Sequence, residues 1–367
     1  MEFLVGRDEL LKVVGVVSAV VERRQAKPIL GHVLVKVAAG VLVVTGTDQE
    51  VEMVMSCPAE GRIEGATTVP GRKLLEIVRA LPAGASVRCQ IEGGRFRLSV
   101  GRSRFHLATL PAEEFPNVTT AVWDNEFRVA GGELRKIIEK TQFCMAQQDV
   151  RYYLNGLMLE TLGGSLKAVA ADGHRLALCG TSLGDQVVGD RQIIVPRKAV
   201  VEMMRFLGHD ISPVDVSVSA NHIRIKQDQL VFVSKLVDGR FPDYQRVIPG
   251  VVKGGVTLPR EGLREMLGRV GVVSTEKFRG IRLWFKDRSL AASATNSEHD
   301  EAWEELELDE DVAEFEIGFN VSYLMEVLGA LEGQKVVAAW ADEKGGWRIK
   351  DVDGTREQVY VVMPVRL

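Results

Sequence analysis

The residues closest to a chemical constellation are Asp172-Gly173-His174-Arg175, an acid and an imidazole two apart on what reads as the loop after a strand. Such a pair can be drawn as a general acid and base or as part of a metal site, and a nucleic-acid hydrolase using Asp172 and His174 is the competing reading of this chain. Catalysis needs a third group to orient the histidine, and none is near in sequence. The six histidines are scattered. Asp172 also falls at a position that recurs as Asp48 and Asn296. Asp and Asn side chains bond their own backbone in turns, so the recurrence favours a turn cap over a catalytic acid. There is no GxxxxGKS or GxxxxGKT phosphate loop, no GxSxG elbow, no HExxH and no EF-hand loop. Cys57, Cys89, Cys144 and Cys179 lie tens of residues apart with no CxxC pair, which fits reduced thiols better than a disulfide framework or a zinc site. No catalytic residue, metal ligand or cofactor is assigned.

The elements that position this loop are built three times. Aligning Leu10, Leu134 and Leu263 brings Val13, Ile137 and Met266 into register, then Val14, Ile138 and Leu267, then Val17, Thr141 and Val270. This is the i, i+3, i+4, i+7 stripe of an amphipathic helix. A short extended run precedes each stripe: Phe3 to Val5, Phe127 to Val129 and Val256 to Leu258. Three alternating segments follow, from Gly31, Asn155 and Gly280, each turning at Gly or Asp-Arg, and these predict hairpins. A second helix is expected where Glu76, Glu202 and Glu326 align, with more alternating strands behind it. The repeat is about 125 residues long, one domain's worth. The linkers fall near Pro111 to Asp124 and Pro242 to Gly255. The predicted fold class is α+β, helices packed on mainly antiparallel sheet, with domains at 1–122, 126–248 and 252–367.

Charge is divided unevenly along this repeat. The 367 residues are 46% apolar and 26% charged, with a formal net charge of −4, a balance that by itself argues against a nucleic-acid partner. Yet segments 3–21, 67–82, 127–146, 193–208 and 256–274 carry fifteen Lys or Arg against eight acids, while 315–333 has three acids and no base. Solvated helix surface is the commoner fate of any one such cation. Repetition on equivalent helices favours a shared polyanion surface that contacts phosphates and reads no sequence. Arg95, Arg97, Arg102 and Arg104 cluster around Phe105 and Leu107 in the first copy, whereas the third carries SEHDEAWEELELDED from Ser297 to Asp311. Complementary ends on unlike domains suit a head-to-tail contact that closes into a ring. The most apolar stretch, Val13 to Val21, is far short of the roughly 20 residues a membrane span needs, and Met1 to Leu10 carries acids where a signal peptide would be basic. A cytoplasmic, nucleoid-associated protein without membrane contact is expected.

Several segments, in order, carry a family likeness: QQDVRYYLNG (Gln147 to Gly156), ADGHRLAL (Ala171 to Leu178), SKLVDGRFPDY (Ser234 to Tyr244), EKFRGIRL (Glu276 to Leu283), IGFNVSYL (Ile317 to Leu324) and YVVMPVRL (Tyr360 to Leu367). Over its full length the chain resembles the bacterial DNA sliding clamps, the beta subunits of DNA polymerase III. The resemblance implies a non-catalytic head-to-tail homodimeric ring with helices lining the hole. Such a ring is loaded on double-stranded DNA by a clamp loader and tethers the replicative DNA polymerase and other clamp-binding-motif proteins. It places DNA contacts at Arg24, Gln147, Gln148, Tyr152, Tyr153 and Lys198. The partner-peptide pocket falls on Leu154, Gly173, His174, Arg175, Leu176, Pro242, Arg246, Val247, Val361, Met363, Pro364 and Arg366, an apolar groove with a flexible Met, suited to related peptides. The plain alternative for YVVMPVRL is an edge strand ending the domain. The dimer contact is expected to set Lys73, Ile77, Arg95, Arg102, Arg104, Phe105 and Leu107 against Val272, Val273, Glu298, Asp300, Glu301 and Glu304 of the other subunit. Ala171, Val365, Lys344 and Gly346 depart from the residues common in the family and bear on the pocket's peptide preference.

Overall fold

The fold is seen in a computed structural model that describes residues 1–21, 27–116, 122–274, 279–342 and 345–366. Six α-helices match the two expected in each copy: α1 (Arg7–Val17), α2 (Gly71–Ala80), α3 (Gly131–Glu139), α4 (Arg197–Phe206), α5 (Arg260–Val270) and α6 (Val321–Ala330). The stripes are buried as their spacing requires, with Leu10, Val13, Val14 and Val17 inward on α1 and Leu263, Met266, Leu267 and Val270 inward on α5. Each of α1, α3 and α5 starts straight from a strand, Glu2–Gly6, Asn125–Ala130 or Gly254–Pro259. The residues just before these helices are Gly6, Ala130 and Pro259, none of which has a side-chain acceptor to serve as a cap. A neighbouring carbonyl takes the first helical N–H instead: Arg7 N donates to Ala85 O at 2.8 Å, Gly131 N to Ser212 O at 2.8 Å and Arg260 N to Gln334 O at 2.9 Å. No helix among the described residues is long and apolar enough to cross a membrane.

In the first two copies the predicted hairpins form. His32–Ala38 pairs with Val41–Thr47 around left-handed Ala39 and Gly40, and Gly156–Leu162 pairs with Ser165–Ala171 around left-handed Gly163 and Gly164. In the third copy the run Gly280–Thr295 is continuous, with its register broken at Asp287, whose φ is +51°.

The chain packs as two compact units, residues 1–132 with 201–236, and 133–200 with 237–367. These cut across the threefold repeat, and the strand pairing explains why. In the first unit an eight-stranded antiparallel sheet runs Asn125–Ala130, Pro213–Val218, His222–Gln227, Leu230–Lys235, Val51–Pro58, Val41–Thr47, His32–Ala38 and Gly65–Pro70. Half of it comes from the first copy and half from the second, stitched where Phe232 faces Met53. In the second unit another eight-stranded sheet joins the rest of the second copy to the end of the third, where Ala177 faces Tyr360. Two half-sheets remain without a partner half among the described residues. In the first unit Ser103–Ala108 ends a five-stranded sheet, and in the second Gly280–Thr295 pairs only with Glu301–Asn320.

Candidate functional site

Asp172 is a turn cap. Its Oδ1 accepts the backbone N–H of His174 at 2.9 Å and of Arg175 at 3.0 Å. Asp48 does the same for Glu50 and Val51, at 2.8 and 2.7 Å, and Asn296 for Glu298 and Asp300, both at 2.9 Å. The three turns are thus held by one device, which accounts for the recurrence. Gly173 stands at φ +89°, and a Cβ there would lie 2.7 Å from Arg151 Nη2. The left-handed backbone is what favours glycine, because the Arg151 guanidinium is the end of a flexible, exposed side chain that can swing aside.

Arg175, only 9% exposed, is enclosed by groups from three separate parts of the chain. Its guanidinium bonds Asp172 Oδ2 at 3.1 Å, Phe143 O at 2.8 Å and the Glu326 carboxylate on α6. Its flat faces meet Tyr323 and Phe143, at 4.4 and 5.4 Å from the ring centroids. An arginine so engaged positions its surroundings and has few donors left for a ligand. His174, exposed, stacks on Tyr323 at 6.2 Å, and its carbonyl takes the N–H of Met363 at 2.8 Å. The C-terminal segment therefore reaches the 172–175 turn.

The expected peptide pocket divides into a buried floor and an exposed rim. Leu154, Leu176 and Val361 are buried in one apolar cluster with Met158, Phe241 and Tyr244. Gly173, His174, Pro242, Arg246, Val247, Met363 and Arg366 are exposed, while Pro364 is half-buried. Val247 and Met363, at 47% and 38% exposure, give the rim its apolar surface. The rim residues from the linker are anchored by Tyr244, whose hydroxyl donates to Glu160 Oε2 at 2.6 Å. Gln192 donates to the other oxygen of that buried carboxylate at 2.5 Å. Burial and this bond push the Tyr244 hydroxyl well above its usual range. A lone acid in the otherwise apolar strand Gly156–Leu162 was the available signal for Glu160. A polar cavity of about 530 Å³ beside Lys136, Glu332, Lys350 and Arg356 shares no residue with this groove.

The loop preceding the Gly156–Leu162 strand carries most of the expected DNA contacts. Ala146 N donates to Leu154 O at 2.9 Å and closes it, while Asn155 and Asp149 exchange two bonds of 2.9 Å. Gln147, Gln148 and Tyr152 are left exposed, and Tyr153 sits edge-on to Tyr152 at 5.7 Å. Lys198 is half-buried in the first turn of α4, and Arg24 lies outside the described residues, as does Lys344. Some of the cations counted on the helices are bonded to backbone carbonyls of the chain itself. Arg7 donates to Val78 O and Arg79 O and Arg260 to Leu328 O, near the C-termini of α2 and α6, while Arg72 donates to Val21 O and Arg260 also to Gly333 O in the segments beyond α1 and α6. Arg7 and Arg260 thus tie helix C-termini, where the backbone dipole favours them. Their charge still adds to the local field.

Of the expected dimer residues, Lys73, Arg95, Arg102 and Arg104 are exposed, Ile77 and Phe105 half-buried and Leu107 buried. On the acidic side Val272, Glu298, Asp300 and Glu301 are exposed and Val273 half-buried. Glu304 is engaged within its own chain, bonded to Arg269 at 2.6 Å. That bond holds its carboxyl below the usual range.

Profiles of the DNA polymerase III beta subunit match in order: the N-terminal domain at residues 1–119, the central domain at 128–243 and the C-terminal domain at 245–366. The chain belongs to the DNA polymerase III beta subunit family. The beta sliding clamp of Escherichia coli K12 is 45% identical over 368 residues and that of Pseudomonas aeruginosa 44% over 373, each aligned along all of both chains. Among solved structures, the Pseudomonas aeruginosa beta subunit superposes with a TM-score of 0.97 at 42% identity, over all of both chains. A Caulobacter crescentus beta sliding clamp does so with 0.96 at 37%, again over all of both chains. As a member of this family the chain is a processivity clamp of three alike domains and not an enzyme, and the hydrolase reading of Asp172 and His174 falls.

Proposed function

We propose that two copies of this chain join head to tail into a closed ring around duplex DNA, and that a clamp loader opens the ring to place it there. The observation that carries this is the pair of half-sheets left without partner halves among the described residues, one with Arg104 on its edge strand and Arg95 and Arg102 beside it, the other with Glu301 on its edge strand and Glu298 and Asp300 in the turn before it. Open edges of opposite charge suit each other and repel copies of themselves. The module boundaries at 1–122, 126–248 and 252–367 follow the sequence repeat. Gln147, Gln148, Tyr152, Tyr153, Lys198 and Arg24 touch the phosphate backbone in this reading, and the groove between Leu154, Leu176, Val361 and the Val247–Met363 rim takes short Gln- and Leu-containing peptides of the polymerase and other partners. Weak phosphate contact lets the ring slide, while its topology prevents escape. The work is done in the cytoplasm, at the nucleoid. The test pairs a solution mass with retention on DNA after loading. A dimer that stays on circular DNA and leaves the same DNA once it is cut is expected; equal loss from both forms would sink the topological mechanism.

A further inference from the structure

The chain contains two internal seams where a strand of one copy joins the last strand of the next, and both use one register. In the first, Val231 faces Val54; in the second, Val359 faces Leu178. The repeat transfers this register to the two open edges. Thr47, Ala171 and Thr295 each precede the turn cap and pair with Glu52, Leu176 and Glu301. Counting on by two, Trp303 holds the place of Val54 and Leu178. On the opposite edge, Ser103 and Leu230 each open the final strand after a two-residue turn, paired with Val100 and Gln227. Arg104 therefore holds the place of Val231.

We infer, resting on the ring reading above, that the contact between copies is a third seam in this same register, with Trp303 of one copy directly across from Arg104 of the other. Ser103 then faces Glu304, and His106 faces Glu301. Directly opposed side chains stand about 5 Å apart at Cβ, close enough for a guanidinium to lie over an indole face. Trp303 is 63% exposed, and Arg104 is exposed on a strand whose free edge ends its sheet. A large aromatic ring left this open on an acidic strand is a surface in want of a cation. Where the two internal seams place aliphatic pairs, the intermolecular one places a cation and a ring. That choice keeps the open edge soluble and still gives the closed contact an anchor.

The experiment uses the full chain. The four native cysteines are buried, so introduced thiols can be read without interference. A chain carrying both Arg104→Cys and Trp303→Cys is expected to form disulfide-linked dimers on mild oxidation. A chain carrying Arg104→Cys and Glu305→Cys, shifted by two on the same face, is expected to stay unlinked. Linking of the shifted pair instead, or of neither in a chain that dimerises, overturns the register. Separately, Trp303→Ala is expected to weaken the dimer roughly tenfold, because closure makes the contact twice, and to have little effect in an Arg104→Ala background. An equal effect in both backgrounds overturns the cation–ring pairing. An unmodified chain that is monomeric at all concentrations would refute the ring itself, a result separate from either of these.

Discussion

Arg175 ties together a turn, a helix and a C-terminal strand. Its partners Asp172, Phe143 and Glu326 come from widely separated parts of the chain, and its side chain is nearly enclosed. Removing it would leave two carboxylates and a carbonyl without this donor, with Asp172 among them largely shielded from water. Arg175→Met is expected to lower the unfolding free energy by about 3 kcal/mol, read as a shift in urea midpoint at unchanged slope, and to weaken peptide capture by loosening the His174–Met363 contact. Loss of peptide capture without any stability change would show instead that the guanidinium itself holds ligand. At this scale the sequence was readable where the chemistry is local. The recurrence of Asp48, Asp172 and Asn296 gave away a turn cap, because an Asx bond spans two or three residues. The Tyr244–Glu160 bond was not readable, since its partners lie 84 positions apart and nothing periodic links them.

Among the elements, the loop from Ala146 to Asn155 must keep Gln147, Gln148 and Tyr152 outward with only the 3-10 turn Tyr152–Asn155 of its own. Asp149 is its brace. It accepts from Arg151 through both backbone and side chain, and the guanidinium bond is the main cause of its carboxyl falling from 3.8 to about 2. A depressed carboxyl contributes order that is complete above the ordinary value and lost as the pH drops through the folded one. Amide protection in this loop, corrected for the intrinsic pH dependence of exchange, is therefore expected to fall between about pH 4 and pH 2, ahead of global unfolding, and to stay constant across that window in Asp149→Asn. Helices and hairpins were legible because each is written in a short period, 3.6 or 2, bounded by Gly or Asp turns. The sheets were not. Pairing of Leu230–Lys235 with Val51–Pro58 joins segments far apart in sequence, and alternation says which face of a strand is buried without naming its neighbour. Helix charge was legible as a count, but whether a guanidinium reaches a carbonyl, as Arg72 and Arg260 do, depends on packing.

For the whole molecule, the opposed charges of the open edges allow a test by exchange. A chain with Arg95, Arg102 and Arg104 changed to Glu sets acid against acid, and a chain with Glu298, Asp300 and Glu301 changed to Lys sets base against base. Each alone is expected to sediment as a monomer. An equal mixture is expected to dimerise, one contact native in sign and the other reversed in sign. Dimers of either variant alone, with none gained on mixing, would place the contact elsewhere. The two unfinished half-sheets also bear on how the protein can fail. A lone chain displays the unpaired backbone edges of Ser103–Ala108 and, on the acidic side, of the stretch Glu301–Glu307, the geometry that templates uncontrolled strand addition. In the proposed ring the protein's colloidal safety thus depends on association: dilution raises the fraction of chains whose edges are open, and any agent that holds the ring open raises the amount of the species able to polymerise. The charged side chains crowding both edges then guard an unassembled chain against joining its own kind out of register.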